Sequence, residues 1–415
     1  MVRSSSPRST ATPEAATLLP GLPNDVGALV LSFVPYPHQG RLRATCKSWR
    51  AFFSSKALIS LRHRNPKALS HLLCIFPQDP SIAPPYLFDP HSLGWCPLPH
   101  LPANPHVYGL CNFASVSIGP HLYVLGGSHF DTRSFPLDRP QPSSSTFRFN
   151  FCTGRWDRLA PMISPRGSFA CVAVPSSDQI LVAGGGSRHN MFGAAGSRMS
   201  SVERYDIEKD EWLALDGLPR FRAGCEGFLV RSGEHREFWV MGGYGRSRTI
   251  SGVFPVDEYY RDAVVLELDD GGCDWGKWRE VGDMWEEGER RRLGKIVVLD
   301  DDERGMPGIF MLDENDIFRY CMTANRWRKE SSVPTKATGN TSFGFVALDG
   351  ELYVVTLRNG NDLAETRRSR PFKRGGALFV QVYCPRKKTW RTLVAKSPLH
   401  CPLDFRNAVV CTIHL

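Results

Sequence analysis

Six tryptophans recur along this chain at intervals of 49 to 66 residues, and five of them stand seven residues after an aromatic residue. Repetition with a period of about 50 residues is typical of propellers, in which each repeat is one small antiparallel sheet that cannot bury its faces alone. The spacing therefore predicts one repeat architecture over residues 69–415. The tryptophans are Trp95, Trp156, Trp212, Trp278, Trp327 and Trp390, and the aromatic residues are Phe88, Phe149, Tyr205, Tyr320 and Tyr383.

Three of the repeats also contain an apolar strand that runs into a double glycine, at residues 126–127, 184–185 and 242–243. A strand that ends in two glycines can turn through positive φ and lets a neighbouring backbone approach closely. Another strand, rich in small and β-branched residues, precedes each apolar strand as the inner strand of the repeat. A loop, a strand ending in the aromatic residue, a turn and the tryptophan strand follow, which gives four strands per repeat. This order resembles the kelch repeat. The last two repeats depart from it, with Asp313–Glu314 and Thr356–Leu357 in place of the glycines.

The two ends of the repeat region complement each other. Residues 69–98 supply three strands but lack the small-residue inner strand, and residues 407–415 supply one such strand without partners. Pairing them removes two exposed sheet edges. The predicted fold is mainly β, a six-bladed kelch-type β-propeller over residues 69–415 whose first blade is closed by residues 407–415.

The N-terminal segment has a different composition. Residues 1–17 are rich in Ser, Thr, Pro and Arg and are predicted to be a disordered tail. From Leu22 to Phe33 apolar residues fall at helical spacing, and two further short helices are indicated before residue 64. Three short helices bury too little surface to be stable alone, so this segment must lean on the propeller or on a partner.

The residues of this segment carry a second resemblance. A Leu-Pro start, a Pro-terminated apolar helix and the run Leu-Arg-x-x-Cys-Lys-x-Trp-Arg over residues 42–50 resemble an F-box, here residues 18–64. An F-box ahead of kelch repeats is similar to the plant F-box/kelch family. The resemblance implies a Skp-type adaptor and a cullin complex as partners. Its adaptor-facing positions correspond to Leu22, Pro23, Val26, Leu42, Cys46 and Trp49.

Long basic loops cluster on one face of the predicted propeller, and arginines open several of its inner strands. Loops on a rigid scaffold are where recognition is expected, and arginines favour carboxylate or phosphate groups. We therefore expect an acidic or phosphorylated target protein on this face, although an ordinary solvated basic surface is the alternative. The predicted target-binding residues are Arg166, Arg222, Arg292 and Arg406.

Composition limits the remaining function classes. The twelve cysteines include no Cys-x-x-Cys pair, which favours a reducing compartment, cytoplasmic or nuclear, without disulfides or zinc. A net charge of +9 is modest for 415 residues, and no nucleic-acid-binding motif is present. The missing motif means that no nucleic-acid partner is expected. No signal peptide or run of about 18 apolar residues appears, so no membrane partner is expected either.

The function predicted from the two resemblances is that of a non-catalytic substrate receptor of an SCF-type ubiquitin ligase, with no cofactor, metal or catalytic residue. Two alternatives stay open. One is a kelch-fold enzyme or a metal-dependent specifier protein, whose E-x-x-x-D-x-x-x-H pattern is met here only by Glu258 and Asp262, because Leu266 stands where the histidine belongs. The other is a propeller scaffold that binds proteins without promoting their degradation.

Overall fold

The structure is a computed structural model whose described residues divide into two compact units, one up to Ser70 together with Leu415 and one within residues 71–414. The predicted disordered tail lies outside the described residues, apart from residue 17. The first unit extends to Ser70 and includes Leu415, whereas the sequence analysis ends the helical domain at residue 64 and places residue 415 in the propeller. The structure describes residues 17–77, 83–103, 108–131, 140–186, 198–232, 235–250, 254–268, 276–285, 293–299, 307–336, 342–358, 376–399, 403–406 and 408–415.

The first unit contains four short α-helices among its described residues. Pro23 and Pro35 directly precede the first two helices, and the Ser55 hydroxyl accepts a hydrogen bond from the Leu58 amide at the start of the fourth. A small core of Leu31, Phe52, Phe53 and Leu58 holds them together. The helices are α1 (Asn24–Ser32), α2 (Tyr36–Arg43), α3 (Lys47–Phe53) and α4 (Lys56–Arg64).

The second unit is built of antiparallel sheets, and its described residues include six sheets of four strands. Sheet 1 comprises β1 (His71–Phe76), β2 (Tyr86–Asp89), β3 (Gly94–Pro97) and β29 (Val409–His414). Sheet 2 comprises β5 (Ala114–Ile118), β6 (His121–Leu125), β9 (Thr146–Asn150) and β10 (Arg155–Leu159). Sheet 3 comprises β11 (Ala170–Val174), β12 (Gln179–Ala183), β13 (Val202–Asp206) and β14 (Glu211–Leu215).

In each of the remaining large sheets the strands lie side by side in chain order. Sheet 4 comprises β15 (Glu226–Ser232), β16 (His235–Met241), β19 (Ala263–Leu268) and β20 (Arg279–Val281). Sheet 5 comprises β21 (Lys295–Leu299), β22 (Gly308–Asp313), β23 (Asp316–Cys321) and β24 (Arg326–Ser332). Sheet 6 comprises β25 (Gly344–Leu348), β26 (Glu351–Arg358), β27 (Ala377–Cys384) and β28 (Thr389–Lys396). Smaller sheets are formed by β4 (Tyr108–Cys111), β7 (Ser128–Asp131) and β8 (Gln141–Pro142), and by β17 (Tyr244–Ile250) with β18 (Phe254–Tyr259).

The six large sheets are arranged in a closed cycle. One edge strand of each sheet contacts the matching strand of the next, in the order β5, β11, β15, β21, β25, β29 and back to β5. Buried apolar clusters fill the space between neighbouring sheets, for example between sheets 3 and 4 and between sheets 5 and 6. The predicted mainly β propeller preceded by a small helical domain is confirmed.

The repeated tryptophan pairs with its aromatic partner across a hairpin. Tyr205 lies opposite Trp212, with ring centroids 4.9 Å apart, and Tyr383 lies opposite Trp390 at the same distance. The Trp212 indole N–H then donates to the Ala160 carbonyl, 2.9 Å away, in the segment that leaves the preceding sheet. The seven-residue spacing thus sets the hairpin register, and the indole hydrogen bond links the sheet to its neighbour.

The double glycines lie where two segments of backbone nearly touch. Gly126 and Gly127 have φ values of 57° and 95°, and the Gly127 amide donates to the Arg166 carbonyl at 2.8 Å. A Cβ on Gly126 would lie 2.5 Å from the same carbonyl oxygen. Only glycine allows this approach without displacing the segment that leads into sheet 3.

This geometry gives a matched pair of substitutions. Gly119 has a similar φ of 52°, but nothing lies within 4 Å of an added Cβ. Gly119→Ala should cost about 1 kcal/mol through backbone strain alone. Gly126→Ala should cost at least about 2 kcal/mol more, because the Arg166 segment must also move. Urea denaturation of both variants measures the difference, and equal losses would contradict the close approach.

Candidate functional site

A series of apolar side chains is exposed on α1 and on the residues that flank it. Their exposed fractions lie between 40% and 50%, and they account for five of the nine large apolar residues that are exposed in the described part of the chain. Exposed apolar groups that cluster in this way mark interaction sites. We call this set the α1 apolar surface: Leu22, Val26, Leu29, Val30 and Phe33.

The opposite side of α1 faces the helical core. Its buried residues are Gly27, Leu31 and Ser32, two of which are small. Leu31 packs with Phe52 and Phe53. The apolar residues whose spacing predicts this helix therefore lie on the side that the helical unit leaves exposed. This arrangement is typical of a helix that binds another protein.

A buried arginine fixes the end of α1. The Arg62 side chain is 2% exposed and donates to the carbonyls of Ser32 and Val34, and at 3.0 Å to the Leu415 carbonyl within the same unit. Burial lowers the pKa of Arg62 to about 10, so the guanidinium stays charged at neutral pH. These bonds satisfy carbonyls that a helix end leaves unpaired, and they hold α1 in a fixed orientation.

The other predicted adaptor-facing residues divide into two groups. Pro23 and Cys46 are exposed, and the Cys46 thiol accepts a hydrogen bond from the Trp49 amide at the start of α3. Leu42 and Trp49 are half-buried and pack against the core, and the Trp49 indole N–H donates to the Leu18 carbonyl at 2.7 Å. Hydrogen bonds from the Ser48 hydroxyl and the Trp49 amide lower the pKa of Cys46.

The sequence prediction omitted three residues of the α1 apolar surface, Leu29, Val30 and Phe33. They enter the sequence analysis only through the helical spacing of apolar residues between Leu22 and Phe33. The signal that could have found them is the pair of small residues, Gly27 and Ser32, which marks the buried side of the helix.

Arg166 does not lie at the surface, which corrects the expectation that it reaches a target. Its side chain is fully buried and forms an ion pair with Glu203. It also donates at 2.9 Å to the carbonyls of both Gly184 and Ser201. Burial lowers the pKa of Arg166, and the nearby Glu203 carboxylate opposes that shift. The side chain therefore stabilises sheet 3 internally.

Arg222 has an equivalent internal role, so the same correction applies. Its side chain is fully buried, donates to the Gly242 carbonyl at 2.9 Å and lies 2.7 Å from an Asp262 carboxylate oxygen. The Tyr260 ring lies beneath the guanidinium, with its centroid 4.8 Å away. Neither guanidinium is presented to solvent.

The two remaining predicted arginines differ from these. Arg292 lies outside the described residues. Arg406 is 51% exposed at its side chain and pairs with Asp404, whose carboxylate raises the pKa of Arg406. Among the four predicted target-binding arginines, Arg406 is therefore the described one that a target can reach.

The described residues offer no group of three or more His, Cys, Asp or Glu side chains placed to hold a metal ion. None of the helices in the described part of the chain combines the length and apolarity that crossing a bilayer requires.

Comparison with known proteins identifies both units. The F-box domain profile matches residues 19–61, and the Kelch motif profile matches residues 109–163 and 166–218. The F-box/kelch-repeat protein OR23 of Arabidopsis thaliana is 62% identical over 412 residues, covering 96% of this chain and 92% of that protein. The Arabidopsis F-box/kelch-repeat protein At2g44130 is 24% identical over 94% of this chain and 93% of its own length. The Arabidopsis F-box protein AFR is 26% identical over 68% of this chain and 67% of its own length.

The internal role of Arg166 can be tested by stability. Arg166→Met keeps the unbranched apolar stem but leaves the Glu203 carboxylate buried without its cationic partner, and should destabilise the chain by about 3–5 kcal/mol. Arg406→Met removes an exposed pair and should cost less than about 1 kcal/mol. Urea denaturation of both variants measures the contrast. An Arg166→Met chain as stable as Arg406→Met would show that the buried pair is dispensable.

Proposed function

This chain belongs to the plant F-box/kelch-repeat family, and on that premise we propose that it is the substrate-recognition subunit of an SCF-type E3 ubiquitin ligase. The helical unit docks a Skp-type adaptor and thereby the cullin complex. The propeller holds a target protein. The outcome is ubiquitination and degradation of that target in the cytoplasm or nucleus.

The observation that carries this proposal is the α1 apolar surface. Five large apolar residues exposed on one short helix and its two flanks are unfavourable in water, and a partner that covers them recovers that free energy. Full burial of a residue of this size is worth roughly 1.5–3 kcal/mol, and about half of that is still to be gained from side chains that are 40% to 50% exposed. Arg62 holds the helix in place before binding, so little conformational entropy is lost on docking.

The proposed role requires no bond chemistry from this chain. A receptor accelerates ubiquitin transfer by holding the target's lysines close to the ubiquitin-charged enzyme, which turns a bimolecular encounter into an effectively intramolecular one. A rigid closed propeller suits this task, because a mobile receptor would lose the advantage of fixed positions.

Docking of the adaptor can be tested on α1. The double change Val30→Lys, Phe33→Lys places two charges on residues that are 50% and 48% exposed, so the fold should tolerate it. It should weaken binding of a purified Skp-type adaptor at least about 30-fold, since apolar anchors dominate such interfaces. Isothermal titration calorimetry measures the loss.

The matched control is Ala57→Lys, Ser60→Lys, which puts the same two charges on exposed residues of α4. Its adaptor affinity should equal that of the unmodified chain, and circular dichroism should show the same helix content in all three proteins. Undiminished adaptor binding by the double variant would refute the docking role of α1.

The target is proposed to present an acidic or phosphorylated segment, with Arg406 as a contact. On an array of peptides with and without phosphoserine, the unmodified chain should prefer the phosphorylated members, because guanidinium and phosphate form charge-assisted hydrogen bonds. Arg406→Glu should abolish that preference, whereas Arg158→Glu, at another exposed arginine, should retain it. An unchanged preference in Arg406→Glu would exclude this residue from target binding.

A further inference from the structure

Two cysteines face each other across the strand pair that closes the cycle of sheets. β1 and β29 pair over their full length, with Cys74 opposite Cys411. One cysteine lies in the first strand of the propeller and the other in its last strand. Both are free thiols in this structure.

The hydrogen-bond pattern sets the distance between them. Ser70 and Leu415, four positions away in the same register, exchange two backbone hydrogen bonds of 2.7 and 3.0 Å. Hydrogen-bonded and non-hydrogen-bonded pairs alternate along an antiparallel ladder, so the two cysteines also form a hydrogen-bonded pair. Such pairs have Cα atoms about 5.5 Å apart, which is close to the usual Cα separation in a disulfide.

The side chains at the intervening register positions support this assignment. His71 and His414 fall on a non-hydrogen-bonded pair, where side chains approach more closely. Their Nδ1 atoms lie 2.9 Å apart. The two strands therefore keep the same pairing register up to the His71–His414 end of the ladder.

The two thiols have different surroundings. Cys74 is completely buried, and burial raises the pKa of its thiol. Cys411 is half-buried, and its sulfur lies 3.4 Å from the Ser115 hydroxyl of sheet 2. Hydrogen bonds from Cys74 and Ser115 lower the pKa of Cys411. Cys411 is therefore the thiol that an oxidant meets first.

We propose that Cys74 and Cys411 are a site of oxidative modification that covalently closes the propeller. A hydroperoxide transfers one oxygen to the Cys411 sulfur, giving a sulfenic acid and releasing an alcohol or water. The Cys74 sulfur then attacks the Cys411 sulfur, expelling water and forming the disulfide. The peroxide is reduced by two electrons, and the two thiols are oxidised by two.

The disulfide joins the two strands whose separation would open the cycle. It therefore removes conformational freedom from the unfolded chain over a loop of more than 300 residues. Side chains on a hydrogen-bonded pair must move slightly together to form the bond, and strained disulfides are readily reduced. The modification is thus reversible by cellular thiols, which distinguishes it from a permanent structural disulfide.

The test uses the purified full chain and hydrogen peroxide. After treatment, blocking of free thiols and digestion with trypsin and chymotrypsin, mass spectrometry should find Cys411 linked to Cys74. The tryptic fragment 407–415 contains Cys411 as its sole cysteine, which makes the assignment unambiguous. The midpoint of thermal unfolding should rise by about 5 °C and return after dithiothreitol.

Two variants complete the experiment. Cys411→Ser should show no rise in the midpoint, whereas Cys225→Ala, at a buried cysteine leading into sheet 4, should retain it. Oxidation of Cys411 to sulfinic acid without any link to Cys74 would overturn the proposal. So would a linked pair that leaves the unfolding midpoint unchanged. The cross-link and the shift of the unfolding midpoint are both measured on the chain without substitutions, so they stand even if a variant folds poorly.

Discussion

A chain of hydrogen bonds between double glycines and buried arginines holds three consecutive sheets in place. The Gly127 amide donates to the Arg166 carbonyl, and the Arg166 guanidinium donates to the Gly184 carbonyl. The Gly185 amide then donates to the Arg222 carbonyl, and the Arg222 guanidinium donates to the Gly242 carbonyl. Each arginine accepts a bond from one turn and gives one to the next, so glycine and arginine depend on each other at every step.

The repeat itself could be predicted from the sequence because its strongest signal is local. Tyr205 and Trp212 belong to one hairpin, so seven residues of spacing are enough to fix their register. The closing pair, β1 with β29, also agrees with the expectation drawn from the two incomplete ends. That inference needed no contact information, because an unpaired inner strand and a sheet without one complement each other.

The site was less predictable, because sequence does not reveal which side of an element the protein covers. The sequence analysis predicts Arg166 and Arg222 to be surface groups, although they are 56 residues apart, the same interval that separates Trp156 from Trp212. A charged residue that recurs in step with the structural repeat belongs to the scaffold. The α1 apolar surface shows the opposite case, because here apolar residues face outward and the small residues of α1 face the core.

The closed cycle of edge strands also determines how this molecule comes apart. In an open array the end repeats have one neighbour and fray first, so stability declines toward the ends. Here every sheet has two neighbours, and local opening anywhere must break two interfaces at once. An unfoldase pulling on the C-terminal strand would remove the one strand that completes sheet 1. The propeller should therefore resist gradual erosion yet be lost as a whole once β29 is extracted.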